Sequence, residues 1–232
     1  MYLYTKEQFQ KFKYKFPGLE SINQSYSQAL QDMFVIAILE GRRDGKFLEI
    51  GADDPKFISN TYLLESCFGW EGISVDISGS SRDRFIDEGR SAVFYLGDAL
   101  VMDYDKMLSD HEFETQVDYL SIDLEPNIQT LECLKNLPLD KFRFSVITYE
   151  TDAYDENAPG GVDGSRERMH ESREIFKSYG YELVSGNISD LDTEHPFEDW
   201  YVDPEVVDEN VINKFKRNSD EVIAAHCYMF HQ

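Results

Sequence analysis

FLEIGADDP, Phe47 to Pro55, joins a short apolar run to an acid, a glycine and two more acids. An apolar run that breaks at a glycine is the pattern of a strand buried on both faces that ends in a loop, so Lys46 to Ile50 is predicted as the first strand of a parallel sheet. In a doubly wound sheet the ligand sits at the carboxyl ends of the strands, where the backbone must approach it closely. Gly51 stands at that place, and Glu49 is carried to it by the strand.

On either side of this stretch strands and helices alternate. Upstream, Tyr26 to Gly41 puts Ala29, Met33, Ile36, Ala37 and Glu40 on one stripe, and is predicted as an amphipathic helix. Downstream, Ser59 to Phe68 is predicted as a helix, Glu71 to Ile77 as a strand, and the stretch with Arg82, Arg84 and Glu88 as a helix. Ala92 to Leu96, Val117 to Ile122 and Phe144 to Tyr149 are further strands, with a helix from Ile128 to Leu137. The polar, glycine-rich Thr151 to Gly164 is long for a connection, and such a loop is expected to be a functional lid or disordered. A charged helix, Ser165 to Tyr179, leads to two closing strands, Tyr181 to Val184 and Phe197 to Val202, and Glu205 to Phe215 is helical. This order implies an α/β, doubly wound, mostly parallel sheet with helices on both faces. The expected organisation is an N-terminal extension over 1–25, one domain over 26–204, and a helical tail over 205–232 packed on that domain.

The chain has 232 residues, enough for one substantial core, and 41% of them are hydrophobic. Lys and Arg number 22 against 45 Asp and Glu, a net charge of −23 that repels a phosphate backbone, so no nucleic-acid partner is expected. Three dispersed cysteines form no disulfide framework, and no stretch approaches a signal peptide or a membrane span. A cytoplasmic location is therefore expected. Among the five histidines zinc-ligand spacing is approached only loosely, by His226, Cys227 and His231 near residue 232, and this grouping is read as chance.

The acids separate two ligand classes. A dinucleotide pyrophosphate is an anion, which Glu49, Asp53 and Asp54 would repel, whereas S-adenosylmethionine carries a sulfonium and an ammonium that they attract. Asp76, at the end of the second strand, stands where a Rossmann fold places its ribose-binding carboxylate. Asp98 after the third strand suits either an adenine amino group or a helix cap. Asp123 and Glu125 follow the fourth strand, and Glu150 and Asp152 the fifth. A carboxylate there would take a proton from an acceptor hydroxyl, or the group would hold a divalent cation; the choice stays open.

The ordered segments SQALQD (Ser27 to Asp32), FLEIGADDP, SNTYLLES, FGWEGISVD, DYLSIDLEP, ITYETDAY and FEDWYVDP together resemble FkbM-type S-adenosylmethionine-dependent methyltransferases, over Ser27 to Pro204. The resemblance implies a class I methyltransferase with a seven-stranded sheet that methylates a hydroxyl of a sugar, glycan or related small molecule. Glu49, Gly51, Ala52, Asp53, Asn60, Asp76, Ile77, Asp98, Ala99, Asp123 and Glu125 are then expected to bind the cofactor, and Asp123, Glu150 and Asp152 to do the chemistry. Three positions depart from the family pattern. Asp53 and Pro55 stand where the turn usually has an amide or imidazole and a glycine, and Thr151 follows Glu150 where a histidine is frequent. The alternatives are a silent Rossmann binding module and a nucleotide-sugar or nicotinamide enzyme.

Overall fold

Period-two alternation along β1 (Lys46–Ile50) sends Phe47 and Glu49 to one face of the sheet and Leu48 and Ile50 to the other, and all four are buried. The structure, a computed structural model, describes residues 4–190 and 195–231. The first three residues of the expected N-terminal extension and the last of the expected tail lie outside them.

The other strands are β2 (Glu71–Asp76), β3 (Val93–Leu96), β4 (Gln116–Ile122), β5 (Arg143–Glu150), β6 (Glu182–Ser189), β7 (Glu198–Val202) and the two-residue β8 (Ile223–Ala224). They form one sheet in the order β3-β2-β1-β4-β5-β7-β6-β8. The sheet thus has eight strands among the described residues, not the expected seven, because Ile223 and Ala224 pair in parallel with Ile188 and Ser189 on its outer edge. Of these described strands only β7 is antiparallel to its neighbours.

The helices are α1 (Gln31–Ile38), α2 (Tyr62–Phe68), α3 (Gly79–Glu88), α4 (Tyr104–Asp110), α5 (Asn127–Asn136), α6 (Gly161–Ser178), α7 (Glu209–Phe215) and α8 (Ala225–Met229). Phe34, Leu63, Leu64, Phe68, Trp200 and Phe215 make the core on one face; Leu48, Ile50, Tyr104, Leu131, Phe144 and Phe176 make it on the other.

Three sequence expectations are corrected. The helix expected from Tyr26 begins only at Gln31, because the Asp32 carboxylate accepts from Tyr26 N (2.7 Å), Ser25 Oγ (2.7 Å) and Ser27 Oγ (2.7 Å), which holds that stretch in a turn. It is not amphipathic either. All eight residues are buried, since Phe12, Phe16 and Ile22 from the N-terminal segment belong to the same core as Phe34. The expected lid is anchored at its start: Thr151 N and Asp152 N donate to Phe197 O and Ala153 N to Pro196 O, all three residues are buried, and α6 begins at Gly161. Ile122 and Glu150 end their strands within a residue of expectation, so the site's acids stand on fixed ends.

Candidate functional site

Register aligns Ser74, Glu49, Ser121, Thr148 and Trp200 across β2, β1, β4, β5 and β7. Two residues nearer the carboxyl ends of β2, β1, β4 and β5 stand Asp76, Gly51, Asp123 and Glu150, and Glu198 is the register partner of Glu150 on β7. A cavity of about 470 Å³ opens over this second row. Glu49, Gly51, Ala52, Asp53, Asn60, Asp76, Ile77, Asp98, Ala99, Asp123, Glu125, Glu150 and Asp152 all line it. A second cavity, about 500 Å³ and lined by Tyr26, Pro55, Phe57 and Glu88 among others, lies against the 54–57 turn. It gathers no strand ends, and the chemistry-bearing groups converge on the first.

At the β1–β2 end the acids are satisfied by the protein itself. Thr61 Oγ1 and Ser74 Oγ donate to Glu49 at 2.9 and 2.7 Å. Burial raises the Glu49 carboxyl above its ordinary range, against the lowering influence of Arg90 and the two hydroxyls. The Arg90 side chain, only 1% exposed, pairs with Glu65 at 2.9 Å and donates to Thr61 Oγ1 (2.8 Å), to Ser59 Oγ and to Pro55 O. Asp76 accepts from Asp53 N (2.9 Å) and Ser78 N (2.7 Å). The Asp53 carboxylate turns to Arg84 at 2.8 Å, and Asp54 accepts from the backbone of Lys56 and Phe57. Glu49, Asp53 and Asp54 therefore do not supply the free negative charge expected of this turn.

Gly51 has a different cause from the expected one. Its φ is +87°, and a Cβ there would stand 1.6 Å from Asp123 O, so the glycine is required by the neighbouring strand end before any ligand is considered. Ile77, 73% exposed, presents an apolar face beside Asp76, while Asp98 accepts from Leu100 N at 2.9 Å, as a turn-forming acid does.

The β4–β5 end carries the charge. Glu150 and Asp152 are 5% and 4% exposed, Asp123 is half-buried and Glu125 exposed. Glu150 Oε2 and Asp152 Oδ1 have no hydrogen-bond partner. Burial, then the charge of Asp123, pushes the Glu150 carboxyl well above the usual range, and burial raises the Asp123 carboxyl as well. Asp152, with φ +41°, is pushed up to about 7 by burial and then by the charges of Glu125 and Asp123, against a hydrogen bond from Tyr154. Glu198 accepts from Trp200 Nε1 at 2.9 Å and is pushed up to about 8, chiefly by burial.

Sequence reasoning missed Gln28, Ile58, Leu124, Gln129, Tyr154 and Phe197 in the lining. Tyr154 stands two residues past Asp152 in ETDAY and was in plain view; it meets His195 edge-on with ring centroids 4.9 Å apart. Arg90 offered no local signal, since it lies past the end of α3 and reaches the site only through the fold.

No family model matches the chain, and neither does any curated protein. Among solved structures, one described as an rRNA-methylase from Clostridium thermocellum is similar at a TM-score of 0.52 and 10% identity, over 77% of this chain and 96% of that one. Fibrillarin from Aeropyrum pernix with S-adenosyl-L-methionine bound is similar at 0.46 and 14%, over 77% of each chain. A TehB-like S-adenosylmethionine-dependent methyltransferase from Corynebacterium glutamicum is similar at 0.45 and 19%, over 77% of this chain and 89% of that one. The first likeness establishes the fold as the Rossmann-like fold of methyltransferases; the other two add no weight. Among the described residues no helix is long and apolar enough to cross a membrane.

Proposed function

We propose that this chain is an S-adenosylmethionine-dependent O-methyltransferase whose acceptor is a hydroxyl of a sugar, glycan or related small molecule. The observation that carries the reading is the crevice at the strand ends, where Asp123, Glu125, Glu150 and Asp152 gather beside Asp76 and the exposed Ile77, with no lysine or arginine among the described lining residues. A cationic cofactor is attracted there and a diphosphate is repelled. In this reading Asp76 takes the ribose hydroxyls, Ile77 and Ala99 flank the adenine with Asp98 at its amino group, and Gly51, Ala52, Asp53 and Asn60 border the methionine end. Glu49 supports that end from beneath, and Asp123 and Glu125 face the sulfonium side.

In the transfer the acceptor oxygen bonds the methyl carbon, the S–CH₃ bond breaks, and the hydroxyl proton passes to Asp123, Glu150 or Asp152. A held acceptor in line with the methyl replaces a bimolecular encounter by a nearly unimolecular one. The Clostridium protein is described as acting on rRNA. A net charge of −23 favours a neutral acceptor over a polyanion here.

Calorimetry with S-adenosylmethionine tests the reading. Binding is expected with one site per chain, and Asp76→Ala is expected to weaken it by about tenfold or more, the loss of a charged hydrogen-bond partner costing about 1.5–3 kcal/mol. Labelled cofactor incubated with a glycan and sugar-nucleotide pool then reports transfer. A folded protein that ignores the cofactor sinks the methyltransferase reading and leaves the silent binding module; one that quenches NADH fluorescence instead favours a nicotinamide enzyme.

A further inference from the structure

Three carboxylates at the β4–β5 end, Glu125, Glu150 and Asp152, each bring one oxygen to within 4.8 Å of the others. Acidic clusters are frequent on acidic proteins, but two features set this one apart. Glu150 and Asp152 are both more than nine-tenths buried, and each keeps an oxygen, Oε2 and Oδ1, with no donor. Buried carboxylate oxygens normally have donors, and leaving one bare costs about 1–3 kcal/mol. The charges that bear most strongly on Glu150 are those of Asp123, Asp152 and Glu125, all of its own sign.

We propose that Glu125, Glu150 and Asp152 form a divalent-cation site of the hard, oxygen-seeking class (Mg²⁺, Mn²⁺ or Ca²⁺). Three oxygen ligands leave about half of an octahedral shell open to water and to acceptor oxygens. The cation's use in catalysis rests on the methyltransferase reading: it would hold the acceptor oxygen and favour its deprotonated form beside the cofactor. The site itself does not depend on that reading.

Mn²⁺ is the probe. Titration of metal-stripped protein, without cofactor and followed by the loss of the free-ion EPR signal, is expected to show one Mn²⁺ per chain, displaced by Mg²⁺ or Ca²⁺. Glu150→Gln and Asp152→Asn are expected to abolish that binding. Glu125→Gln, at an exposed position where the fold is not at stake, is expected to weaken it by about tenfold or more. Asp140→Asn, an exposed acid elsewhere, is expected to leave it unchanged. No stoichiometric Mn²⁺, or binding that survives Glu125→Gln undiminished, overturns the proposal. S-adenosylmethionine titrations in EDTA separate the two readings: cofactor bound without any manganese site defeats the metal alone, and manganese bound without cofactor defeats the transferase alone.

Discussion

The two ends of one crevice treat the same residue type in opposite ways. At the β1–β2 end Glu49, Asp53, Asp54 and Asp76 each find a hydroxyl, a backbone N–H or a guanidinium. At the β4–β5 end Glu150 and Asp152 are left with bare oxygens and like-charged neighbours. The first end is finished by folding and acts as a rigid frame. The second is left incomplete by folding, and an incomplete electrostatic site of this sign calls for a positive ligand.

The largest expected effect lies at the hinge between them. Gly51→Ala combines a positive φ with a Cβ driven into Asp123 O, and is expected to cost about 3 kcal/mol or more in a denaturant titration. A smaller loss would mean that the two strand ends are not locked together. Arg90→Ala tests the finished end. It leaves Glu65 without its buried cation and the Thr61–Glu49 pair without its outer donor, and about 3 kcal/mol of destabilisation is expected. A loss near that of an exposed ion pair, below about 1 kcal/mol, would show the frame to be soft.

The gentlest test uses pH on the incomplete side. Glu198 has an ordinary carboxyl pKa when unfolded and is pushed up to about 8 when folded, so the folded state binds the extra proton. Its contribution to stability is fully present below the unfolded value and is lost as pH rises towards about 8. Unfolding free energy is therefore expected to fall between about pH 5 and 8 in denaturant titrations, and Glu198→Gln to reduce that fall by a few kcal/mol at most, about 1.4 kcal/mol for each pKa unit. An unaltered slope in the variant would place the burden on other acids.

How much of this was legible follows from range. β1, β2, β4 and β5 were readable within about a residue because each is a short, mostly apolar or β-branched run stopped by a glycine or an acid, a purely local pattern. The site acids were readable for the same reason, since strand ends carry them to one edge. α4 was missed because YDKMLSD shows too few apolar residues for a stripe; it forms through the Asp103 cap on Lys106 N and the burial of Tyr104, Met107 and Leu108. β6 reaches Ser189 through the polar SGNIS, where Arg173 bonds Asn187 and Asp199 and makes a polar strand tolerable inside. The partners that quiet the β1–β2 acids, Arg84 and Arg90, lie some thirty residues away and no spacing announces them.

The N-terminal segment meets the tail at the bridge between Phe12 and Phe230, with Phe9 and Tyr4 stacked on the same ring and Lys13 holding the carbonyls of Cys227 and Tyr228. Lys13 and the carbonyl of Cys227 are 214 positions apart, so this meeting forms only when two distant segments come together. Completing this patch therefore belongs to the slow, long-range part of folding, and a substitution on either segment bares the rings of the other.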